Sequence, residues 1–101
     1  MKKNFFKVAA FYKFTPLYNL SELQETFMQF LTQHKIKGTI LLAHEGVNGT
    51  LAGSSESINK FKDFLKMRDL LSIKNFKTSA CEEEPFPRLK VKLKNEIVSI
   101  G

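Results

Sequence analysis

The chain has 101 residues, 43% of them hydrophobic and ten of them phenylalanine. This is one domain's worth, able to bury roughly 60–70% of its extended surface with no disulfide or metal to hold it. Sixteen basic residues against ten acidic give a net charge of +6, which suits a polyanionic partner, and the single cysteine, Cys81, excludes an internal disulfide and suits a reducing compartment.

Residues 1–7 begin like the basic region of a signal peptide, but Lys7 and Lys13 interrupt the apolar stretch and no small-residue cleavage site follows. No run approaches the ~18 apolar residues that span a bilayer. No membrane partner is expected, and the expected compartment is the cytoplasm. Phe5 to Phe14 reads as a first strand. Phe6, Val8, Ala10, Tyr12 and Phe14 share one face and Phe5, Ala9 and Phe11 the other, and apolar residues on both faces predict a central position. Thr15-Pro16 ends it.

Asn19 is predicted to cap a helix by accepting from the Glu22 amide, with Glu22 reaching back and Tyr18 stapled onto Leu23. Leu20, Leu23, Phe27, Phe30 and Leu31 follow at helical spacing, which leaves Glu22, Glu25, Gln29 and Gln33 to solvent; Gly38 marks the exit. Two runs, Thr39 to Ala43 and Thr50 to Ala52, then flank Gly46 and Asn48-Gly49. Asn-Gly between such runs predicts a type I′ hairpin. Ser54 or Ser55 caps a second helix, with Glu56 in its first turn and Ile58, Phe61 and Leu65 as its buried stripe. A weaker strand follows at about Ile73 to Ser79. The order is β-α-β-β-α-β, an α+β ferredoxin-like arrangement with an antiparallel sheet and two helices on one face.

Residues 1–80 make up this unit. Cys81 to Pro87 is an acidic, proline-broken link, after which Leu89, Val91 and Leu93 alternate with Lys90, Lys92 and Lys94, a strand with one apolar and one cationic face. Ile97, Val98 and Ile100 continue the apolar pattern. The chain reads as the N-terminal part of a longer protein, with residues 81–101 leading to a further domain.

Catalytic patterns are weak. The glutamates beside Cys81 raise a thiol's pKa, and nothing places a histidine near it. His44-Glu45 lacks the second histidine of a zinc-protease pair, since Asn48 stands there, and two histidines with one cysteine at unrelated spacings make no metal site. Gly46 and Gly49 join two strands, whereas a dinucleotide cradle joins a strand to a helix. Acylphosphatases share the topology and hold phosphate with an arginine in the loop after the first strand; Thr15 to Asn19 contains neither arginine nor glycine. An RNA-recognition sheet would stack bases on Phe5, Phe11 and Phe76, although the glycine-and-aromatic signature of its third strand is missing and core or inter-domain packing explains these rings as well. The best functional feature is the row Arg88, Lys90, Lys92 and Lys94, with ~6.6–6.8 Å between neighbours. Such a row matches backbone phosphates, or it protects a solvated edge from aggregation.

Three segments together carry a resemblance: Phe11-Tyr12-Lys13-Phe14 before a proline; Lys37 to Thr50 with Ala52-Gly53; and Pro85-Phe86-Pro87-Arg88 running to Lys94, then Glu96-Ile97-Val98. They resemble the N-terminal region of the rhodanese-related bacterial tRNA uridine hydroxylases. The resemblance implies an acylphosphatase-like ferredoxin fold followed by a rhodanese domain that holds the reactive cysteine. It also implies oxygen-dependent hydroxylation of the wobble uridine in tRNA modification, with molecular oxygen as co-substrate of the full enzyme. The expectation for this chain is a non-catalytic, cofactor-free domain that binds or orients tRNA through Arg88, Lys90, Lys92 and Lys94. His44, Glu45 and Asn48 are further candidates for RNA or inter-domain contact. The alternative is a structural docking module without RNA contact, packing Leu89, Val91, Leu93, Ile97 and Ile100 on the rhodanese domain.

Overall fold

The computed structural model describes residues 6–94. In chain order its elements are β1 (Phe6–Phe14), α1 (Leu20–Gln33), β2 (Lys37–Ala43), β3 (Gly46–Ser54), α2 (Ser55–Met67), a single 3-10 turn (Ile73–Asn75), β4 (Phe76–Cys81) and β5 (Leu89–Leu93). They form one five-stranded sheet in the order β4-β1-β3-β2-β5. β1 pairs antiparallel with β3 over their full length, from Phe6 opposite Ser54 to Phe14 opposite Gly46, and with β4 on its other side. The predicted central place of β1 is therefore observed. The weak strand begins three residues later than expected, because Ile73–Asn75 winds into the 3-10 turn.

The basic strand is part of this sheet. β5 lies parallel to β2 at the edge opposite β4, with Ile40 beside Val91. The chain from 82 to 88 must cross four strand spacings, about 19 Å, and seven extended residues reach about 24 Å. A link with so little slack has to stay extended, which Pro85 and Pro87 favour.

Both helices pack on one face of the sheet, α1 over β2 and β5 and α2 over β1 and β3. Strand positions facing them are Ala9 and Phe11, Ile40 and Leu42, Val47 and Leu51, and Val91, all buried. Helical Phe27, Leu31, Ile58, Phe61, Phe64 and Leu65 close the core from the other side. It is largely a cluster of rings. Phe61 lies 5.4 Å from Phe11 and 6.0 Å from Phe64 between centroids, and Phe27 meets Phe64 edge-on at 5.2 Å. Phe64 also receives the Arg68 guanidinium over its outer face at 4.1 Å.

Three local expectations are corrected. Asn19 stands at the start of α1 in the left-handed conformation, φ 53°, and its side chain makes no capping bond. Its carbonyl accepts from the Leu23 amide, while Leu17, not Tyr18, turns inward; Tyr18 is 73% exposed. Gly38 does not end α1 but lies inside β2; the exit is a Schellman turn at Lys35. There the Ile36 amide donates to Leu31 O at 2.9 Å and the Lys35 amide to Thr32 O at 3.2 Å. Asp69 repeats the device after α2, with φ 57° and Leu70 donating to Leu65 O. A lysine at φ 57° is strained, since a left-handed L-residue costs about 1–2 kcal/mol. Lys35→Gly is expected to stabilise the domain by about 0.5–1 kcal/mol, the strain relieved less the entropy glycine loses on folding. A rise in the urea midpoint would register it.

The third correction concerns the hairpin. Its turn is His44-Glu45, because Ala43 pairs with Gly46, and Asn48-Gly49 lies within β3. A turn at Asn48-Gly49 would shorten β3 to a few residues and leave β1 half unpaired. The observed register gives β1 a nine-residue partner and sends Val47 into the core. Gly49 serves packing: a Cβ there would stand 2.8 Å from Thr39 O and 3.2 Å from the Phe11 ring. By contrast, α2 starts as expected, with Ser54 Oγ accepting from the Ser57 amide at 3.0 Å.

Candidate nucleic-acid interface

With both helices on one side, the other face of the sheet carries no helix, and its middle, at Ala10 and Thr50, is exposed. Alternation assigns its residues. Val91 is buried beneath α1, and its carbonyl accepts from Gln24 Nε2 at 2.7 Å. Lys90 and Lys92 therefore project to the open face, and both are exposed. Arg88 and Lys94 flank the strand and continue the alternation. Their backbones are tied to β2, Arg88 O accepting from Gly38 N at 2.9 Å and Lys94 N donating to Leu42 O at 2.8 Å. The four predicted cations thus form one row along one edge.

The pairing register carries that row across the sheet. Lys77, Ala10, Thr50, Thr39 and Lys90 lie in line, and Tyr12, Asn48, Leu41 and Lys92 form the next row. Lys77 and Lys37 add two cations that periodicity did not single out, because each owes its place to strand neighbours. Among the described residues no strand position on this face is acidic. Glu84, from the link, reaches Lys37 with 2.6 Å between Oε1 and Nζ. Both side chains are about 40% exposed, so this pair contributes little to stability. Between Lys77 and β2 the small side chains of Ala10, Thr39 and Thr50 leave a shallow depression of about 480 Å³, bounded by Tyr12 and Asn48.

Of the weaker candidates, Asn48 lies on this face, between Tyr12 and Leu41. His44 and Glu45 do not; they form the β2–β3 turn at the end of the sheet. There Leu17 N donates to His44 O and His44 Nδ1–H to Leu17 O, each at 2.9 Å, while Thr15 N donates to Glu45 O. These bonds clamp the β1–α1 loop. The same bonds engage the Thr15 and Leu17 amides of that loop, and Pro16 has no N–H to donate.

The rings considered for base stacking do not lie together on this face. Phe11 is 6% exposed, and with Phe76, 5.9 Å away, it faces the helices. Phe5 lies outside the described residues. The β1 rings on the open face are Phe6 at one end and, at the other, Tyr12 and Phe14, which lie 5.7 Å apart and edge-to-face, with Phe14 53% exposed. Leu89 and Val91, expected on a neighbouring domain, pack on this domain's own core, and of that set only Leu93 is exposed among the described residues. Ile97 and Ile100 lie outside them. Cys81 sits on the β4 edge with its thiol donating to Glu83 O. No group of three His, Cys, Asp or Glu able to hold a metal occurs among the described residues, and no described helix is long and apolar enough to cross a membrane.

A family model described as the UPF0176 acylphosphatase-like domain matches residues 6–97. A tRNA uridine(34) hydroxylase from Teredinibacter turnerae is 47% identical over 94 residues, which are 93% of this chain and 29% of that protein. One from Anaplasma phagocytophilum is 40% identical over 96 residues, 95% of this chain and 34% of the relative. The chain thus spans about a third of the length of these relatives. Among solved structures, an acylphosphatase from Coxiella burnetii superposes with a TM-score of 0.60 at 14% identity, over 88% of this chain and 94% of that one, a likeness of fold.

Proposed function

Because the chain belongs to the UPF0176 acylphosphatase-like domain family, we propose that it is the RNA-holding, non-catalytic domain of a tRNA uridine hydroxylase. In this reading a rhodanese domain elsewhere in the protein carries the reactive cysteine, and oxygen is consumed there. The present domain presents tRNA to it through Arg88, Lys90, Lys92 and Lys94, working in the cytoplasm. The observation that carries the reading is the cationic row on a helix-free sheet face whose described strand positions hold no acid. Phosphates neutralised by such a row release counterions, so affinity falls steeply with salt. The names and identity of the relatives support tRNA as the polyanion.

The test is titration of this chain with bulk tRNA at several salt concentrations, before and after Lys90, Lys92 and Lys94 are changed together to alanine. Each lost phosphate contact flattens the plot of log K against log salt by about 0.7–0.9, so the triple variant is expected to lose about 2 to 3 of slope. An unchanged slope and affinity would overturn the assignment. The docking-module alternative expects no salt-dependent binding; against it stands the use of Leu89 and Val91 inside this domain.

A further inference from the structure

We propose that the open sheet face takes single-stranded RNA, with bases stacked on Tyr12 and Phe14 and phosphates held by Lys92 and Lys94. This rests on the reading that the cationic strand contacts RNA, and adds to it which form of RNA and which aromatic residues. Tyr12 shares a cross-sheet row with Lys92, and Phe14 pairs with Gly46, opposite Ala43, one step beyond the Leu42–Leu93 pair and so level with Lys94. Three strand spacings separate each ring from its lysine, about 14 Å, a gap that the long lysine side chains partly close.

The rings are spare to the fold. Six other phenylalanines, Phe11, Phe27, Phe30, Phe61, Phe64 and Phe76, build the core cluster, whereas Tyr12 and Phe14 touch each other edge-on outside it. Their faces differ in tilt by 63°, so a ring remains available to a base wherever the strand crosses. The cations beside them call for a polyanion, and a polyanion that also has flat apolar faces to offer is an unpaired nucleic acid. A duplex keeps its bases stacked inside and would use the lysines alone. Thr39, Thr50 and Asn48, lining the depression between the rings and β5, set polar groups where base edges would lie.

The sequence supplies a built-in probe, since the chain has two tyrosines and no tryptophan. In a Tyr18→Phe background, Tyr12 is the sole tyrosine, and stacking of a base on it is expected to quench its fluorescence. The titrants are an oligouridylate and a fully paired RNA duplex of equal phosphate number. The expected result is quenching by the oligouridylate and not by the duplex. Phe14→Ala and Tyr12→Leu are each expected to weaken oligouridylate binding about 5- to 150-fold with the salt slope unchanged. Phe14→Ala is at an exposed site and leaves the fold intact. Unchanged affinity in both variants, or equal quenching by the duplex, would overturn the stacking proposal while the lysine variants still test the cationic strand. Failure of the unmodified chain to bind either RNA at low salt would overturn both.

Discussion

Gly38→Ala is expected to cost about 3–5 kcal/mol, among the largest effects of a single substitution in this chain. A Cβ at Gly38 would stand 2.2 Å from Thr50 O and 2.8 Å from Leu51 Cα, both backbone atoms of β3 that no side-chain rotation can move aside. The residue also has φ +132°, where an L side chain is strained. Its amide donates to Arg88 O, so the same distortion reaches β5 on the other side of the strand. Domains of this kind are stable by only about 5–15 kcal/mol, and such a loss leaves little. The urea midpoint measures it, and tRNA binding should fall with it as the cationic strand loses its seat. Gly53→Ala is the control, because its nearest neighbour is the side-chain Cγ1 of Ile36 at 3.0 Å, which can yield. Equal midpoints for the two variants would contradict the argument.

The second large effect is expected at Phe61. Its ring is wholly buried and lies within 5.4–6.2 Å of the rings of Phe11, Phe27, Phe30 and Phe64, joining sheet to both helices. Phe61→Ala is expected to destabilise by about 3–5 kcal/mol, the lost transfer energy plus the cavity that the four surrounding rings cannot collapse into. Phe14→Ala, at a ring 53% exposed, is expected to change stability by less than about 0.5 kcal/mol and to act on RNA binding instead. One residue type in one sequence thus divides between folding and function. A denaturant curve for each variant decides it, and a Phe14→Ala midpoint as low as that of Phe61→Ala would refute the division.

The candidate interface was partly readable in advance. Arg88, Lys90, Lys92 and Lys94 stand at alternate positions, so strand geometry alone puts them on one side, wherever the strand goes. Lys37 and Lys77 were invisible as members, because they join that face only through register with β3 and β1. The bond from His44 to Leu17 O was not legible, since its partner is 27 residues away and no local pattern announces it. Gln24 was not singled out, yet it holds the carbonyl of Val91 across 67 residues.

What the sequence by itself determined is the set and order of elements: two helices from 3.6-residue stripes, strands from alternation, the Ser54 cap of α2, and a strand with one cationic face. These rest on forces acting within a few residues, and a local pattern is enough to express them. Tertiary structure alone decided three things. It chose which face of β1 is covered, since both faces are apolar and only the helices' side distinguishes Phe11 from Phe14. It placed the hairpin turn at His44-Glu45, because pairing nine residues of β3 with β1 outweighs the turn preference of one Asn-Gly. And it put β5 beside β2, turning the lysine row into the border of an open face, a position fixed by Val91 filling the space beneath α1 and by a link just long enough to cross the sheet.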